Sequence, residues 1–306
     1  TNAIQSSHIY STYFAPRGRS RIYTLGMQIA QLYLSPFDQI IGFIGEAGSG
    51  KSVLIKGMFP GIELTNDDDG VNVRPLPLLE QEYETGFFTP HTYHLDIRFE
   101  TGFHQLSELA DAVRLAVRRG KRIIIEHFDL IYPLLGVNAN LLIGVGEQIV
   151  ITRPNLFGPL PQELCDIVYP SLAYRLMAHS AEDLCEYAMT QEQMLACSHG
   201  DIRHGFVLEF NEHQPDIDIP TLEARVNELI RQDLPIDYYD ESHILLGGAQ
   251  HYCTGPRTHV RSTGRIIGFR LLDHFIYDHF HKTYMLVGCV GDDSEENIRK
   301  LETIHG

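Results

Sequence analysis

The most chemically specific spacing in the chain lies in a glycine-rich segment that begins at residue 45. Residues 45–52 read GEAGSGKS and fit the pattern G-x-x-x-x-G-K-[ST]. Glycines in such a loop let successive backbone N–H groups turn toward one phosphate, and the following helix adds a favourable dipole. Lys51 is expected to reach the β- and γ-phosphates, and Ser52 to ligate Mg²⁺. The spacing therefore predicts a site for ATP and Mg²⁺ formed by Gly45, Gly48, Ser49, Gly50, Lys51 and Ser52.

A phosphate loop of this kind needs an acidic partner at the end of a neighbouring strand to hold the magnesium ion or its water. The segment RIIIEHFD offers Glu126 and Asp129, and Glu126 is the first choice. Lys51 and Glu126 are therefore the predicted catalytic pair, with Ser52 and Glu126 as magnesium ligands. The acidic run at residues 67–70, DDDG, is either a solvated turn or a loop that faces a nucleoside or metal. The sequence NKxD does not occur, so a guanine-specific switch is not expected.

Strands and helices alternate around this segment. The apolar run FDQIIGFIG predicts a strand, and VLIKGMF after the loop predicts a helix. An amphipathic stretch at residues 22–34 predicts a helical lead-in, and apolar residues at helical spacing over 106–117 predict a helix before the strand RIIIE. Two further strands, NLLIGVG and QIVIT, follow. This order is typical of a parallel sheet with helices on both faces over residues 20–160.

The pattern changes after residue 152. The segment NLFGPLPQELCDIVYP contains three prolines and is the best linker candidate. Beyond it, helices are predicted around residues 178–189 and 222–232, with GFVLEF as a strand between them. The predicted fold class is therefore α/β, with a parallel-sheet phosphate-loop domain over 1–170 and an α+β domain over 171–306.

Composition limits the class of protein. The chain has 306 residues, and 40 acidic residues against 24 lysines and arginines give a formal net charge of -16. The hydrophobic fraction of 43% is enough to bury a core. No segment offers the ~20 apolar residues that a membrane helix needs, so no membrane partner is expected. The first residues lack a secretory pattern, and the five cysteines lack paired spacing, so we expect reduced thiols and a cytoplasmic location.

The first half resembles a known group of kinases. GFIGEAGSGKS followed by RRGKRIIIEHFD is similar to the uridine-kinase-like group of P-loop kinases, whose second strand ends in an acidic residue. The resemblance implies a P-loop fold, a nucleoside triphosphate ligand and phosphoryl transfer. Such kinases also carry an arginine-rich lid, for which this chain offers only Arg153 and the distant Arg175.

The second half resembles the editing region of threonyl-tRNA synthetase and the related alanyl enzyme, known as the second additional domain. CTGPRTHVRSTGRI is similar to C-x-G-P-H-V-x-S-T-G-x-I in that family. Three further landmarks occur in the family's order: HSAEDL at 179–184, EARVNELIRQDLPI at 223–236 and NIRKLETIHG at the end of the sequence. The resemblance implies an α+β editing-like domain that recognises an aminoacyl-tRNA end or a small amino-acid ligand.

The resemblance also implies a set of metal or water ligands. Carried over position by position, the set is His179, Asp183, Cys253 and His259, which would bind zinc or position a hydrolytic water. Two features differ from the family: Asp183 replaces a histidine, and Arg257-Thr258 lengthens C-x₃-H to C-x₅-H. The alternative is a degenerate site kept for packing or binding. Other histidines near enough in sequence to substitute are His199, His204, His243 and His251.

Two functional hypotheses follow. In the first, the protein is an enzyme, either a nucleoside-type kinase or an ATP-linked aminoacyl-tRNA hydrolase. In the second, it is a nucleotide-sensing and ligand- or tRNA-binding module that does not turn over. Although the net charge disfavours nucleic acid, two arginine-rich clusters offer a local RNA footprint or, equally, a solvated surface. They comprise Arg118, Arg119, Lys121 and Arg122, and Arg257, Arg261 and Arg265.

Overall fold

The computed structural model describes residues 10–66 and 91–306. The chain is mixed α/β and divides into two compact units, Thr1–Ser171 and Leu172–Gly306. The acidic run at 67–70 lies outside the described residues. Throughout the described ranges, no helix combines the length and apolar character that a membrane crossing requires.

The first unit is built on a six-stranded mixed sheet. Its strands are β1 (Tyr10–Phe14), β2 (Ile40–Ile44), β3 (Thr92–Asp96), β4 (Arg122–Glu126), β5 (Leu141–Val145) and β6 (Gln148–Thr152), in the order β1-β6-β5-β2-β4-β3. The pairs β3–β4, β4–β2 and β2–β5 are parallel. The pairs β5–β6 and β6–β1 are antiparallel. The prediction of a parallel sheet is therefore wrong at this edge, because only two residues separate β5 from β6 and so short a connection can form only a hairpin.

Helices cover both faces of the sheet. They are α1 (Arg19–Tyr33), α2 (Lys51–Met58), α3 (Ile97–Glu100), α4 (Leu106–Arg118) and α5 (Phe128–Leu135). Successive side chains of β2 point to opposite faces. Ile41 and Phe43 join the apolar cluster that includes α1 and α2, whereas Ile40 and Ile44 join the cluster that includes α4 and α5. The fully apolar strand pattern arises because both faces are buried.

Two glycines let α1 and α2 pack with their backbones in contact. A Cβ atom on Gly26 would lie 2.6 Å from the carbonyl oxygen of Leu54. A Cβ atom on Gly57 would overlap the carbonyl oxygen of Tyr23. Since backbone atoms on both helices are involved, rotation of a side chain cannot relieve either clash. The crossing therefore requires glycine at both positions.

We expect Gly57→Ala to destabilise the first unit. The clash costs ~3 kcal/mol, by analogy with overpacked cores, and exceeds the ~1 kcal/mol that alanine gains over glycine in a helix. Urea unfolding should show a net loss of about 2 kcal/mol. Gly102→Ala is a comparison with a milder contact, because its added methyl would lie 3.2 Å from the carbonyl oxygen of Phe99, and it should lower stability by less than Gly57→Ala does. Equal stability of Gly57→Ala and wild type would contradict the packing described for α1 and α2.

The second unit combines two antiparallel sheets with helices. Its helices are α6 (Pro161–Ala188), which begins before the unit boundary, α7 (Gln191–Ala196), α8 (Ile219–Arg231) and α9 (Ser294–His305). One sheet joins β9 (Ile236–Asp240), β10 (His243–Leu246) and β11 (Ala249–Tyr252). The other joins β7 (Cys197–Ile202), β8 (Gly205–Asn211), β12 (Arg270–Leu271), β13 (Ile276–Asp278) and β14 (Thr283–Cys289).

Helix α6 corrects the predicted linker. Residues 161–170 are helical, although they include Pro161 and Pro170. Pro161 occupies the first turn, where a missing N–H costs nothing, because that group has no partner within the helix. Leu164, Cys165 and Val168 are buried in the core of the first unit. Burial of this apolar face stabilises the helix by more than Pro170 destabilises it. The number of prolines alone therefore did not identify a linker here.

Candidate functional site

The glycine-rich loop connects the end of β2 to the start of α2. Gly48 and Gly50 have φ values of 77° and 98°, which lie in the left-handed region that favours glycine. A Cβ atom on Gly45 would lie 2.7 Å from the carbonyl oxygen of Val145. Glycine is therefore required at these three positions for distinct reasons, two conformational and one steric.

Lys51 and Glu126 lie together under this loop. The Nζ atom of Lys51 donates to the carbonyl oxygen of Glu46 at 2.7 Å and lies 3.9 Å from Oε1 of Glu126. Lys51, Ser52 and Glu126 are all buried, with exposures of 1%, 1% and 2%. Glu126 is in register with Phe43 of β2, so the carboxyl end of β4 reaches the loop that follows β2. Parallel pairing thus brings together three residues that sequence reasoning singled out.

A buried histidine positions the carboxylate of Glu126. The backbone N–H of Thr65 donates to Nδ1 of His94 at 3.0 Å, so this nitrogen carries a lone pair. His94 is then a neutral ring whose Nε2–H donates to Oε2 of Glu126 at 2.7 Å. With one carboxylate oxygen hydrogen-bonded, the other is directed toward Lys51.

Sequence reasoning missed the polar residues at the end of β3. Asp96 accepts hydrogen bonds from the backbone N–H of Phe99 and from Nδ2 of Asn66. Two residues later, Arg98 places Nη1 3.6 Å from Oε2 of Glu46 in the loop. The available signal was the run HLDIR at the carboxyl end of a strand, the edge where ligands bind in open α/β sheets.

Arg153 does not contribute to a lid over the loop. Its guanidinium forms an ion pair with Asp38 at 2.7 Å and donates to the carbonyl oxygen of Tyr33. Asp38 precedes β2, whereas the glycine-rich loop follows it, and a five-residue strand separates these ends by about 16 Å. Arg175, the other arginine considered, belongs to the second unit.

Asp129, the alternative acidic residue, hydrogen-bonds the thiol of Cys165. Burial, and then the charge and hydrogen bond of Asp129, raise the pKa of this thiol to about 12. The structure therefore places Glu126, and not Asp129, against Lys51.

In the second unit, the four residues predicted to form a metal or hydrolytic site lie together. His179 and Asp183 are one turn apart on α6, and Cys253 and His259 come from the segment after β11. The Sγ atom of Cys253 lies 3.5 Å from Nε2 of His179 and 3.2 Å from Nε2 of His259. Oδ2 of Asp183 lies 3.8 Å and 3.2 Å from the same two nitrogens. All four ligand atoms fall within 4.8 Å of one another.

These distances fit a tetrahedral metal. Zinc binds nitrogen at about 2.0 Å and sulfur at about 2.3 Å, so neighbouring ligand atoms lie about 3.3 to 3.7 Å apart. The second ring nitrogens are also engaged, as in known zinc sites. Nδ1 of His179 donates to the carbonyl oxygen of Thr258 at 2.7 Å, and Nδ1 of His259 lies 3.1 Å from Oγ of Ser180. Both histidines therefore direct Nε2 toward one point.

The two departures from the family pattern are accommodated locally. The longer segment between Cys253 and His259 supplies the Thr258 carbonyl that orients His179. Burial alone would raise the pKa of Asp183, but the neighbouring His179 and His259 lower it well below its usual range. Burial, and then Asp183, raise the pKa of Cys253 well above its usual range. A metal would have to displace the proton of this thiol.

The other candidate histidines differ in their surroundings. His204 stacks on Tyr174 at 3.5 Å and bonds Asp293 at 2.8 Å, and His243 pairs with Asp240. His199 contacts Glu182 and Glu186, and His251 has a ring nitrogen close to Asp183 and Glu186. Only the last two therefore lie beside the four-ligand set among the histidines considered.

The predicted basic clusters are partly engaged within the protein. Arg122 donates to the carbonyl oxygens of Asp38 and Ser35, and burial lowers its pKa. Arg257 lies over the ring of Tyr238 at 4.0 Å and 3.5 Å from Glu241. Neither guanidinium is thus a simple solvated charge.

Comparison with known proteins adds no assignment to this geometry. The chain matches no protein-family model and no curated protein at a significant level.

Proposed function

We propose that the first unit is a P-loop domain that binds ATP with Mg²⁺ and acts on its terminal phosphate in a kinase-like manner. The observation that carries this proposal is the buried Nζ atom of Lys51, held 2.7 Å from the carbonyl oxygen of Glu46 and 3.9 Å from Glu126. A phosphate oxygen would replace the carbonyl as the acceptor. Because an ion pair with a phosphate is stronger than a bond to a neutral carbonyl, this exchange favours the bound state.

The residues around Lys51 fit the remaining roles. Backbone N–H groups of the loop would hold the phosphates, as would the N-terminus of α2. Ser52 and Glu126 would hold Mg²⁺, which neutralises charge on the phosphates when bound. Arg98, at 3.6 Å from Glu46 in the loop, would be close enough to contact the terminal phosphate.

The four-ligand set supports a metal-dependent role for the second unit, coupled to the role of the first unit. His179, Asp183, Cys253 and His259 would hold Zn²⁺, which lowers the pKa of a bound water when a coordination position is open. With the resemblance to synthetase editing regions, this set supports recognition of an aminoacyl-tRNA end or a small amino-acid ligand. Such a unit would bind the ester between amino acid and tRNA, or hydrolyse it.

A second candidate is a nucleotide-sensing and ligand- or tRNA-binding module without turnover. A specific observation favours it. Arg153 is paired with Asp38 just before the amino end of β2, whereas the glycine-rich loop follows the carboxyl end, so Arg153 cannot form the arginine lid of kinases. In addition, four protein ligands leave no open position on a tetrahedral zinc ion, which is typical of structural sites.

One assay separates these candidates. Full-length protein is incubated with γ-labelled ATP, Mg²⁺, a nucleoside pool and aminoacyl-tRNA, and three quantities are followed: the ATP bound to the protein, the fate of the label and the released amino acid. Label on an acceptor supports a kinase, and label in phosphate with release of the amino acid supports an ATP-linked hydrolase. Binding of ATP without either reaction supports the sensing module. Failure to bind ATP would contradict both candidates.

A further inference from the structure

A second group of metal-ligating side chains lies beside the four-ligand set. Helix α6 contributes Glu182 and Glu186, which are four residues apart and share one face of the helix. Strand β7 contributes Cys197 and His199, which are two residues apart and share one face of the strand. The chain thus presents two carboxylates, a thiol and an imidazole to one another.

Contacts within this group are close. Nε2 of His199 hydrogen-bonds Oε1 of Glu186 and lies 3.2 Å from Oε1 of Glu182. The Sγ atom of Cys197 lies 3.9 Å from Oε1 of Glu186. One ligand atom from each of Glu186, Cys197 and His199 falls within 4.8 Å of the others. Coordination to one metal ion would replace the hydrogen bond between His199 and Glu186, moving these two atoms apart, and would bring Sγ of Cys197 slightly closer to Oε1 of Glu186.

An independent observation at His251 also points to a cation. His251 is 7% exposed, and its Nε2 atom is buried without a hydrogen-bond partner among the described residues. A ring nitrogen of His251 lies within 4.8 Å of carboxylate oxygens of Asp183 and Glu186. A buried imidazole nitrogen without a partner is costly, and a metal ion would satisfy it.

The charge of this region has the sign that a cation requires. The carboxylates of Glu182, Asp183 and Glu186 are buried, with exposures of 1%, 6% and 5%. Buried carboxylates at this density need compensation by protons or by bound cations.

We propose that Glu186, Cys197 and His199, with Glu182 and His251 beside them, form a second site for a divalent transition metal, so that the second unit binds two metal ions. A mixed set of thiolate, imidazole and carboxylate ligands is typical of zinc. The four-ligand set binds the first ion. Asp183 of that set and Glu186 of the second site both lie close to His251, so the two sites are adjacent. This inference concerns metal occupancy and does not depend on the activity of either unit.

Metal stoichiometry tests the inference. Full-length protein is stripped with chelator, loaded with Zn²⁺, freed of excess metal and analysed for zinc per chain by mass spectrometry. We expect two ions in wild type and one in a Cys197→Ser, His199→Gln double variant. Cys253→Ser should also retain one ion, and the three substitutions together should leave none. The control His243→Gln removes a histidine of β10 that pairs with Asp240 of β9, and should retain two ions.

A single ion in wild type that the Cys197→Ser, His199→Gln variant retains, or two ions in that variant, would overturn the second site. If that variant does not fold, cobalt titration of wild type decides the question. Thiolate-to-cobalt absorption that rises over two equivalents supports two sites, each with its own cysteine. Absorption that saturates after one equivalent rejects the second.

Discussion

Lys51→Ala is expected to weaken the binding of Mg²⁺–ATP by about 100-fold or more, equivalent to ~2.7 kcal/mol. The substitution removes an ammonium that is buried under the glycine-rich loop, 3.9 Å from Glu126. A charge-assisted bond to phosphate is then lost in a site shielded from water. Isothermal titration of the full chain with ATP and Mg²⁺ measures the change directly.

The matched control for this prediction is Lys121→Ala. Lys121 directly precedes β4, whereas Glu126 is its last residue. Lys121 therefore lies at the end of β4 that is farther from the loop. This variant should bind Mg²⁺–ATP with wild-type affinity. Thermal unfolding without nucleotide should show that Lys51→Ala is folded, since Glu126 keeps its hydrogen bond from His94. Wild-type affinity in folded Lys51→Ala would reject the proposed phosphate site.

Cys253→Ser is expected to release one equivalent of zinc and to lower the thermal stability of the second unit. Free zinc at 1,000 times its Kd adds ~4 kcal/mol to the free energy of unfolding. This corresponds to about 10 °C or more in the Tm of a unit of this size. Chelator should lower the Tm of wild type by at least this amount and should lower that of the variant by less, because the variant retains only the ion of the second site. Zinc analysis and calorimetry provide the two measurements.

Cys289→Ser controls for the loss of a buried thiol. Cys289 is equally buried and lies in β14, outside the ligand sets found among the described residues. Its substitution should lower stability through packing but leave the zinc content unchanged. Zinc affinity of wild type should also fall as the pH decreases, because the proton displaced from Cys253 then competes more strongly. Full zinc content in Cys253→Ser would contradict the four-ligand site.

The local order of elements around the glycine-rich loop could be predicted from the sequence. The apolar run before residue 45 and the helical spacing after residue 51 are short-range patterns, and the structure has β2 and α2 there. Glu126 could be chosen because the segment RIIIEHFD offered only one other acidic residue, Asp129, near the end of this strand. The four-ligand set in the second unit came from the resemblance to a family and not from periodicity.

Long-range contacts were beyond the reach of such patterns. His94 contacts Glu126 across 32 positions, and nothing near either residue indicates that β3 pairs with β4. Cys197 and His199 meet Glu186 only because β7 folds back against α6. The antiparallel pair β5–β6 could have been predicted, because the two residues between the strands allow only a hairpin. The pairing of β1 with β6 could not, because the spacing of apolar residues carries no information about which distant strand is the neighbour.

The glycine crossing of α1 and α2 has a consequence for the affinity of the loop. Helix α2 begins with Lys51 and Ser52, and its other end is held against α1 at Gly57. Near the loop, Ile22 of α1 lies so close to Gly50 that a Cβ atom added there would be 3.1 Å from the Cδ1 atom of Ile22. The helix is thus fixed at both ends before any ligand arrives, so little conformational entropy is lost when phosphate binds. Preorganisation of this kind improves affinity without adding a contact, and it makes α1, which supplies none of the predicted phosphate ligands, part of the binding energetics.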